Sequence, residues 1–422
     1  MAAIDAGDGE AAKPVLEDLH ARHPDNFEIN ESLGLLYAGT RDLASALPLL
    51  TKAASERPGS DAAAANLGIA YLKAGQNADS ARELKRAVEL NPKNLPAEEA
   101  LGQVLMELGQ PAKAAEAFHQ ALAGDGDNPT LLYNAALAYF DAGDAGRAAG
   151  LLARMPAADS SPEAQALLGD VEEKLGDFKS AGQHYLNAAR LAPTEANEYA
   201  VGVEFLRHWT FPPAVAQFEG GVKRFPGSRR MRLALGIAYF GNHNYDKAIP
   251  VFAALLAAEP DSAAFADLLG RTCTVASEGV DPRCEPLIAF AEKHPKDAKA
   301  ATYAAIHILH QPKSPDQQER ARQLLVSATA ADPNFAEAHY EMGLLLEMQE
   351  KWPQSIMHLE RAVKLRPDYS AAHYRLALAY RRVGQKDKAQ EEIALQQRFS
   401  AQEARDRDLK LEQIQTLLLT TK

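Results

Sequence analysis

A short apolar-small doublet returns along the chain at nearly constant spacing. It stands at Leu33-Gly34, Leu67-Gly68, Leu101-Gly102, Ala135-Ala136, Leu168-Gly169, Val201-Gly202, Leu235-Gly236, Leu269-Gly270, Ala304-Ala305, Met342-Gly343 and Leu376-Ala377. The steps are 34, 34, 34, 33, 33, 34, 34, 35, 38 and 34 residues. A fixed period of this length means one supersecondary unit written many times over. No other feature restricts the fold as much.

With the doublet set at positions 7 and 8, other positions fall into register. A bulky residue often occupies position 11 (Tyr37, Tyr71, Tyr139, Tyr239, Tyr380) and a small one position 20 (Ala46, Ser80, Ala114, Ala181, Ala248). A large one fills position 24 (Leu50, Leu84, Phe118, Tyr185, Phe218, Phe252), and proline often stands at 32 (Pro58, Pro92, Pro193, Pro226, Pro260). Positions 4, 7, 8 and 11 share one face of a helix, and 20, 24 and 27 form a stripe on a second. Turn sequences such as "AGQN" and "LGDF" separate the two, and proline at 32 cannot continue the second helix. Glycine inside a helix costs ~0.5–1 kcal/mol relative to alanine. Its recurrence at position 8 therefore predicts a close helix–helix approach, with the small residue at 20 opposite. A hairpin this short cannot bury its own apolar face, so the units must stack: the fold class is all-α, an α-solenoid.

The pattern resembles the tetratricopeptide repeat family, whose 34-residue helix–turn–helix unit carries the same small, aromatic and proline positions. The resemblance runs over about residues 27–400. It implies a right-handed superhelix of stacked repeats that binds a protein or peptide along its concave face.

The departures from the pattern divide the chain. Residues 1–26 match a partial repeat, of which Ala12, Leu16, Leu19 and Pro24 supply only the second helix; Ala2–Asp5 would be a stub cap unless the natural chain extends upstream. Residues 27–272 form a regular array. Residues 273–319 are irregular, with a long loop in "GRTCTVASEGVDPRCEPLIAF" and a proline-rich insertion, "HQPKSPDQQE". Residues 320–403 return to the array. Residues 404–422 read as a capping helix with an amphipathic end at Leu409, Leu411 and Ile414.

Positions 2, 5, 9 and 12 of each first helix lie one stripe round from the packed face, and in a stacked array they line the concave side. The candidate partner-binding residues are therefore Tyr133, Leu137 and Phe140; Tyr199 and Leu206; Arg230, Ile237 and Phe240; Tyr340 and Leu344; and Tyr374 and Arg381. Contiguous exposed apolar surface of this kind marks interaction sites. The alternative for each residue is packing against the neighbouring unit. His339 and His373, at position 4, are expected to point into the packed face in place of a larger aromatic. Some family members clamp a terminal carboxylate with Lys and Asn at positions 5 and 9. Those positions here are mostly Glu, Ala or Tyr, then Leu or Ile, so an apolar segment fits better than a charged tail.

Searches for chemistry find little. There is no phosphate loop, nucleophile elbow or HExxH pair. His307 and His310 are three apart on a helix, but no third ligand is near in sequence, and no metal or cofactor is expected. Cys273 and Cys284 flank the irregular loop. A bridge between them would staple it in an oxidising compartment; in a reducing one both would be small buried residues. The net charge of −12 disfavours nucleic acid as the main partner, and "RRMR" at 229–232 reads as a solvated helix start. No apolar run approaches a membrane span. The chain is expected to be a non-enzymatic adaptor. The alternatives are an accessory factor of bacterial envelope assembly or secretion, lacking an upstream signal or anchor, and the regulatory arm of an enzyme.

Overall fold

The computed structural model describes residues 9–124, 126–156, 158–276, 281–310 and 314–402. Helices account for nearly all of these, and no strand occurs among them. The first helices of repeats 1 to 5 are Phe27–Gly39, Asp61–Lys73, Leu95–Glu107, Pro129–Asp141 and Pro162–Leu175. Those of repeats 6 to 11 are Glu195–Arg207, Arg229–Gly241, Ala263–Val275, Ala298–Leu309, Ala336–Met348 and Ser370–Arg382. Each is followed by a second helix, the last being residues 386–402. Helix Gly9–Arg22 precedes repeat 1 and packs Ala12 and Leu16 on Leu33, as the second half of a repeat would. The proposed stub at Ala2–Asp5 and the capping helix at 404–422 lie outside the described residues.

The helices start where the sequence supplies caps. Asn26, Ser60, Asn94, Asn128, Ser161, Ser228 and Ser262 each accept a hydrogen bond from the backbone N–H three residues on. Such a cap contributes ~1 kcal/mol. The turn between the helices of a repeat is set by one residue, position 15, which is left-handed wherever the turn is regular. Gly75, Gly109, Gly143, Gly176 and Gly384 occupy it in five repeats; Arg41, Trp209, His243 and Glu350 adopt the same positive φ in four others.

In seven repeats the glycine at position 8 meets the large side chain at position 24. A Cβ on Gly102 would lie 2.7 Å from the Phe118 ring, and one on Gly68 2.6 Å from Leu84. The expectation that position 20 lies opposite needs refining. Position 20 is buried, and the Ser80 hydroxyl donates to the Gly68 carbonyl at 2.8 Å. The space vacated by the missing Cβ, however, is filled by position 24. Phe118, Phe218 and Phe252 are among the most deeply buried side chains, and each such burial stabilises by ~1.5–3 kcal/mol. Repeat 8 breaks the rule: its second helix, Glu285–Lys293, is short, and Tyr303 of the next repeat fills the space beside Gly270.

The chain divides into two compact units, Met1–Val201 and Gly202–Lys422, the boundary falling inside helix Glu195–Arg207. In the N-terminal unit, the first helices of repeats 1 to 5 touch one another in sequence, more closely than the second helices do. In the C-terminal unit, those of repeats 8 to 11 do the same. The closer-spaced layer lies on the inner side of a curved stack, so in each unit the first helices face inward. The irregular stretch at 273–319 contains two ordinary helices, Glu285–Lys293 and Ala298–Leu309, and a third, Pro315–Ala331, begins there with a Ser314–Gln317 capping box.

Candidate protein-binding face

In the N-terminal unit, Tyr133, Leu137 and Phe140 form one stripe of helix Pro129–Asp141. All three are half-buried, resting on the core of repeats 3 to 5 with part of each side chain in solvent. Burial holds the Tyr133 phenol above its usual range, and the charges of Glu163, Asp170 and Asp141 push it further up. The phenol thus feels three carboxylate charges. Asp170 also accepts a hydrogen bond from Tyr185 at 2.7 Å, which fixes it in place. The acidity is general here: the five first helices carry residues such as Glu28, Glu31, Glu99 and Glu107 against only Lys73 and Lys174. Tyr199, at the end of this unit, is half-buried.

The C-terminal unit presents a different face. Leu206 and Phe240 are half-buried, Ile237 is 38% exposed, and Arg230 is exposed. Phe240 meets Tyr245 edge-on at 5.6 Å. Tyr340 lies against Tyr369, ring centroids 4.8 Å apart, and rests on the core of repeats 10 and 11. Tyr369 in turn has the Arg366 guanidinium 3.3 Å over its ring, and Arg366 donates to Glu337 at 2.5 Å. Leu344 is half-buried, while Tyr374 is 47% exposed and Arg381 is exposed. The first helices here are mainly basic, with Arg229, Arg230 and Arg232 in repeat 7 and Arg375, Arg381 and Arg382 in repeat 11.

Sequence reasoning missed Glu341, next to Tyr340. Burial pushes its carboxyl up to about 7, although the Arg375 charge pulls the other way. Arg375 is itself bonded to Glu347 at 3.4 Å. Trp209 was missed as well: it is 71% exposed on a left-handed turn, edge-on to Phe211 at 5.9 Å.

His373 is buried and stacks on Phe399, ring centroids 5.5 Å apart, as expected of a residue packed in an aromatic's place; His339, half-buried, lies against the His358 ring at 5.4 Å. Each is also a polar link. His373 donates through Nε2 to the Pro367 carbonyl at 2.8 Å and pairs through Nδ1 with Glu392 at 2.5 Å. His339 donates to the Pro333 carbonyl at 3.2 Å and meets the His358 ring nitrogen at 3.1 Å. Position 4 here faces both a backbone carbonyl and the second helix, and an imidazole bonds to both while it packs.

His307 is buried and His310 exposed; among the described residues no trio of His, Cys, Asp or Glu ligand atoms gathers around them. Cys273 and Cys284 are joined by a disulfide, their Cα atoms 6.2 Å apart, across the loop of repeat 8. No helix among the described residues is long and apolar enough to cross a membrane.

Tetratricopeptide repeat profiles match residues 1–63 and 65–129, residues 105–171 and 213–272, and residues 358–391. The chain belongs to the tetratricopeptide repeat family. No curated protein sequence matches it. Solved tetratricopeptide-type structures are similar to it at low identity. One is a complex of Naa15 and Naa10 bound to HypK-THB, 16% identical with a TM-score of 0.39, covering 93% of this chain and 66% of that one. Another is YrrB, described as a tetratricopeptide repeat protein with an unusual peptide-binding site, 18% identical, TM-score 0.39, covering 44% of this chain and 96% of that one. A third is pilF of Pseudomonas aeruginosa, 20% identical, TM-score 0.39, covering 49% and 95% respectively. The chain spans just under two thirds of the first of these. Likeness at this level carries no inference about partners.

Proposed function

We propose that the protein is a non-enzymatic scaffold whose first-helix faces each take a protein or peptide segment. In the N-terminal unit the segment is basic and apolar. The observation that supports this reading is the half-exposed Tyr133–Leu137–Phe140 stripe on first helices whose charges are mostly acidic, with Tyr133 under the charges of Glu163, Asp170 and Asp141. Apolar side chains of the segment cover the stripe, and its cations meet the carboxylates. A displayed peptide library, selected on the full chain, tests this. Enriched sequences should combine Lys or Arg with large apolar residues. Tyr133→Ala with Phe140→Ala should weaken them at least about tenfold, a loss of ~1.4 kcal/mol, while helicity and melting stay nearly unchanged. Unfolding of the double variant would make the stripe core and end the reading. A hydrolase or transferase screen of the purified chain addresses the enzymatic alternative; turnover abolished by a point change would establish it.

A second reading has one observation in its favour. The Cys273–Cys284 bridge suits an oxidising compartment, as an accessory factor of the bacterial envelope would occupy. Thiol alkylation of the chain in its native cells, before lysis, decides this: full labelling of both cysteines would remove the envelope reading.

A further inference from the structure

In four repeats position 4 is a polar junction. In repeat 1, Asn30 donates to the Pro24 carbonyl at 2.9 Å and bonds His20 at 2.8 Å. In repeat 5, Gln165 donates to the Ala158 carbonyl at 3.4 Å and accepts from Asn187 at 3.0 Å. His339 and His373 do the same in repeats 10 and 11. Each of these side chains has a donor for a carbonyl several residues back and a second partner on a second helix.

Repeat 3 places Glu98 there. An ionised carboxylate has no donor for that carbonyl. The second-helix position that supplies a polar partner in repeats 5, 10 and 11 is Ala117 here, and Gln120, which also lines the site, makes no hydrogen bond to Glu98. Glu98 is only 8% exposed as a residue, and its carboxylate has no hydrogen bond or ion pair among the described residues. Its oxygens are not sealed from water, so they are open to a partner from outside.

Glu98 lines a groove of about 610 Å³ on the second-helix side of the N-terminal unit, within the size range of ligand sites. Helices Asn77–Leu90, Leu95–Glu107 and Pro111–Ala121 form it, with Val88, Leu101, Leu105 and Leu108 as apolar walls. The charged groups facing Glu98 across the groove are Arg82, Lys85 and Glu89 on one side and Lys113 and Glu116 on the other. The cations are engaged elsewhere: Arg82 with Asp79 and Glu83, Lys85 with Glu89 at 3.7 Å, and Lys113 with Gln110 at 2.9 Å. None of these three cations pairs with Glu98.

We propose that this groove receives a lysine side chain of a partner segment, its ammonium on Glu98 and its methylenes along Leu101 and Leu105. The site is separate from the first-helix face and does not depend on it. Burial raises the Glu98 carboxyl above the usual carboxylate range. Binding therefore strengthens as pH rises through that raised value, then stays level until the amine itself deprotonates at about 10.4.

The experiment uses the full chain and three probes: Nα-acetyl-lysine N-methylamide, its norleucine analogue and n-butylamine. Affinities are measured by calorimetry from pH 4 to 9, with the Glu98 carboxyl followed by carbon NMR. The lysine probe should bind at least about tenfold more tightly than the norleucine one, and Glu98→Gln should remove that advantage together with its pH dependence. Glu98→Gln should melt no lower than the wild type, since it deletes a charge that has no partner in the chain. Equal binding of lysine and norleucine probes, undiminished binding by Glu98→Gln, or a drop in its melting temperature would each overturn the assignment. Binding of butylamine without the lysine probe would also overturn it, the groove then being a site for free amines.

Discussion

At position 15 the N-terminal unit places Gly75, Gly109, Gly143 and Gly176, while the C-terminal unit places Trp209, His243 and Glu350. Arg41 and Gly384 are the exceptions on either side. The backbone demand is the same in both, a left-handed residue that lets the second helix fold back on the first. Glycine meets it without strain; a side chain with a Cβ meets it at a cost of ~1–2 kcal/mol. The inner faces differ too, acidic in the N-terminal unit and mainly basic in the C-terminal one. One repeat thus yields two surfaces. The helix-pair lock tolerates both because charge and turn identity lie outside it.

The largest test of this contrast strikes the lock itself. Phe118→Ala and Phe252→Ala should each cost about 3–5 kcal/mol by chemical denaturation, with hydrogen exchange accelerated chiefly in the unit that carries the change. Equal acceleration throughout would erase the division into two units. Next comes the bridge that only the C-terminal unit has. Reducing Cys273–Cys284, which closes a separation of 11 residues, should cost about 2–3 kcal/mol. Melting with and without reductant measures it, and exchange in the N-terminal unit should stay unchanged.

Glu341 gives a third test. Its carboxyl, raised to about 7 in the folded chain, holds a proton that the unfolded chain has released. Its contribution is therefore full below the ordinary carboxylate pKa of about 4.3 and is lost as pH rises through about 7. Glu341→Gln should raise stability by roughly 1–3 kcal/mol at pH 8 and change nothing at pH 4. A pH-independent effect would mean that the carboxylate is stabilised where it stands. The smallest effects belong to the turns. Glu350→Gly should raise stability by about 0.5–1 kcal/mol, and Gly143→Ala should lower it by about 1 kcal/mol; matching signs would show that the two turns are not equivalent.

The repeat period and the helix pairs were readable in the chain, because glycine and the large residues recur at fixed positions. The true partner of the position-8 glycine was not. Periodicity shows which positions share a face, but not which of two facing residues reaches further, and position 24 reaches past position 20. The inner face was legible in part. Tyr374 is exposed, but Tyr340 rests on Tyr369, which the turn before repeat 11 brings over it. Register within one helix cannot reveal a neighbour supplied by the next repeat. Glu98 and Glu341 escaped notice because a glutamate on a helix ordinarily means solvent. Only the packing around each shows how far it is drawn from solvent.

The lock between positions 8 and 24 has a consequence for how such a chain can grow. Both members lie in the same 34-residue unit, so a tandem duplication copies a fitted pair rather than half of one. The new copy inherits its internal register and needs only to present an acceptable flank to its neighbours. The chain is thereby left open to lengthening by whole units, and its inner face can diversify copy by copy without the hairpins having to be fitted together again.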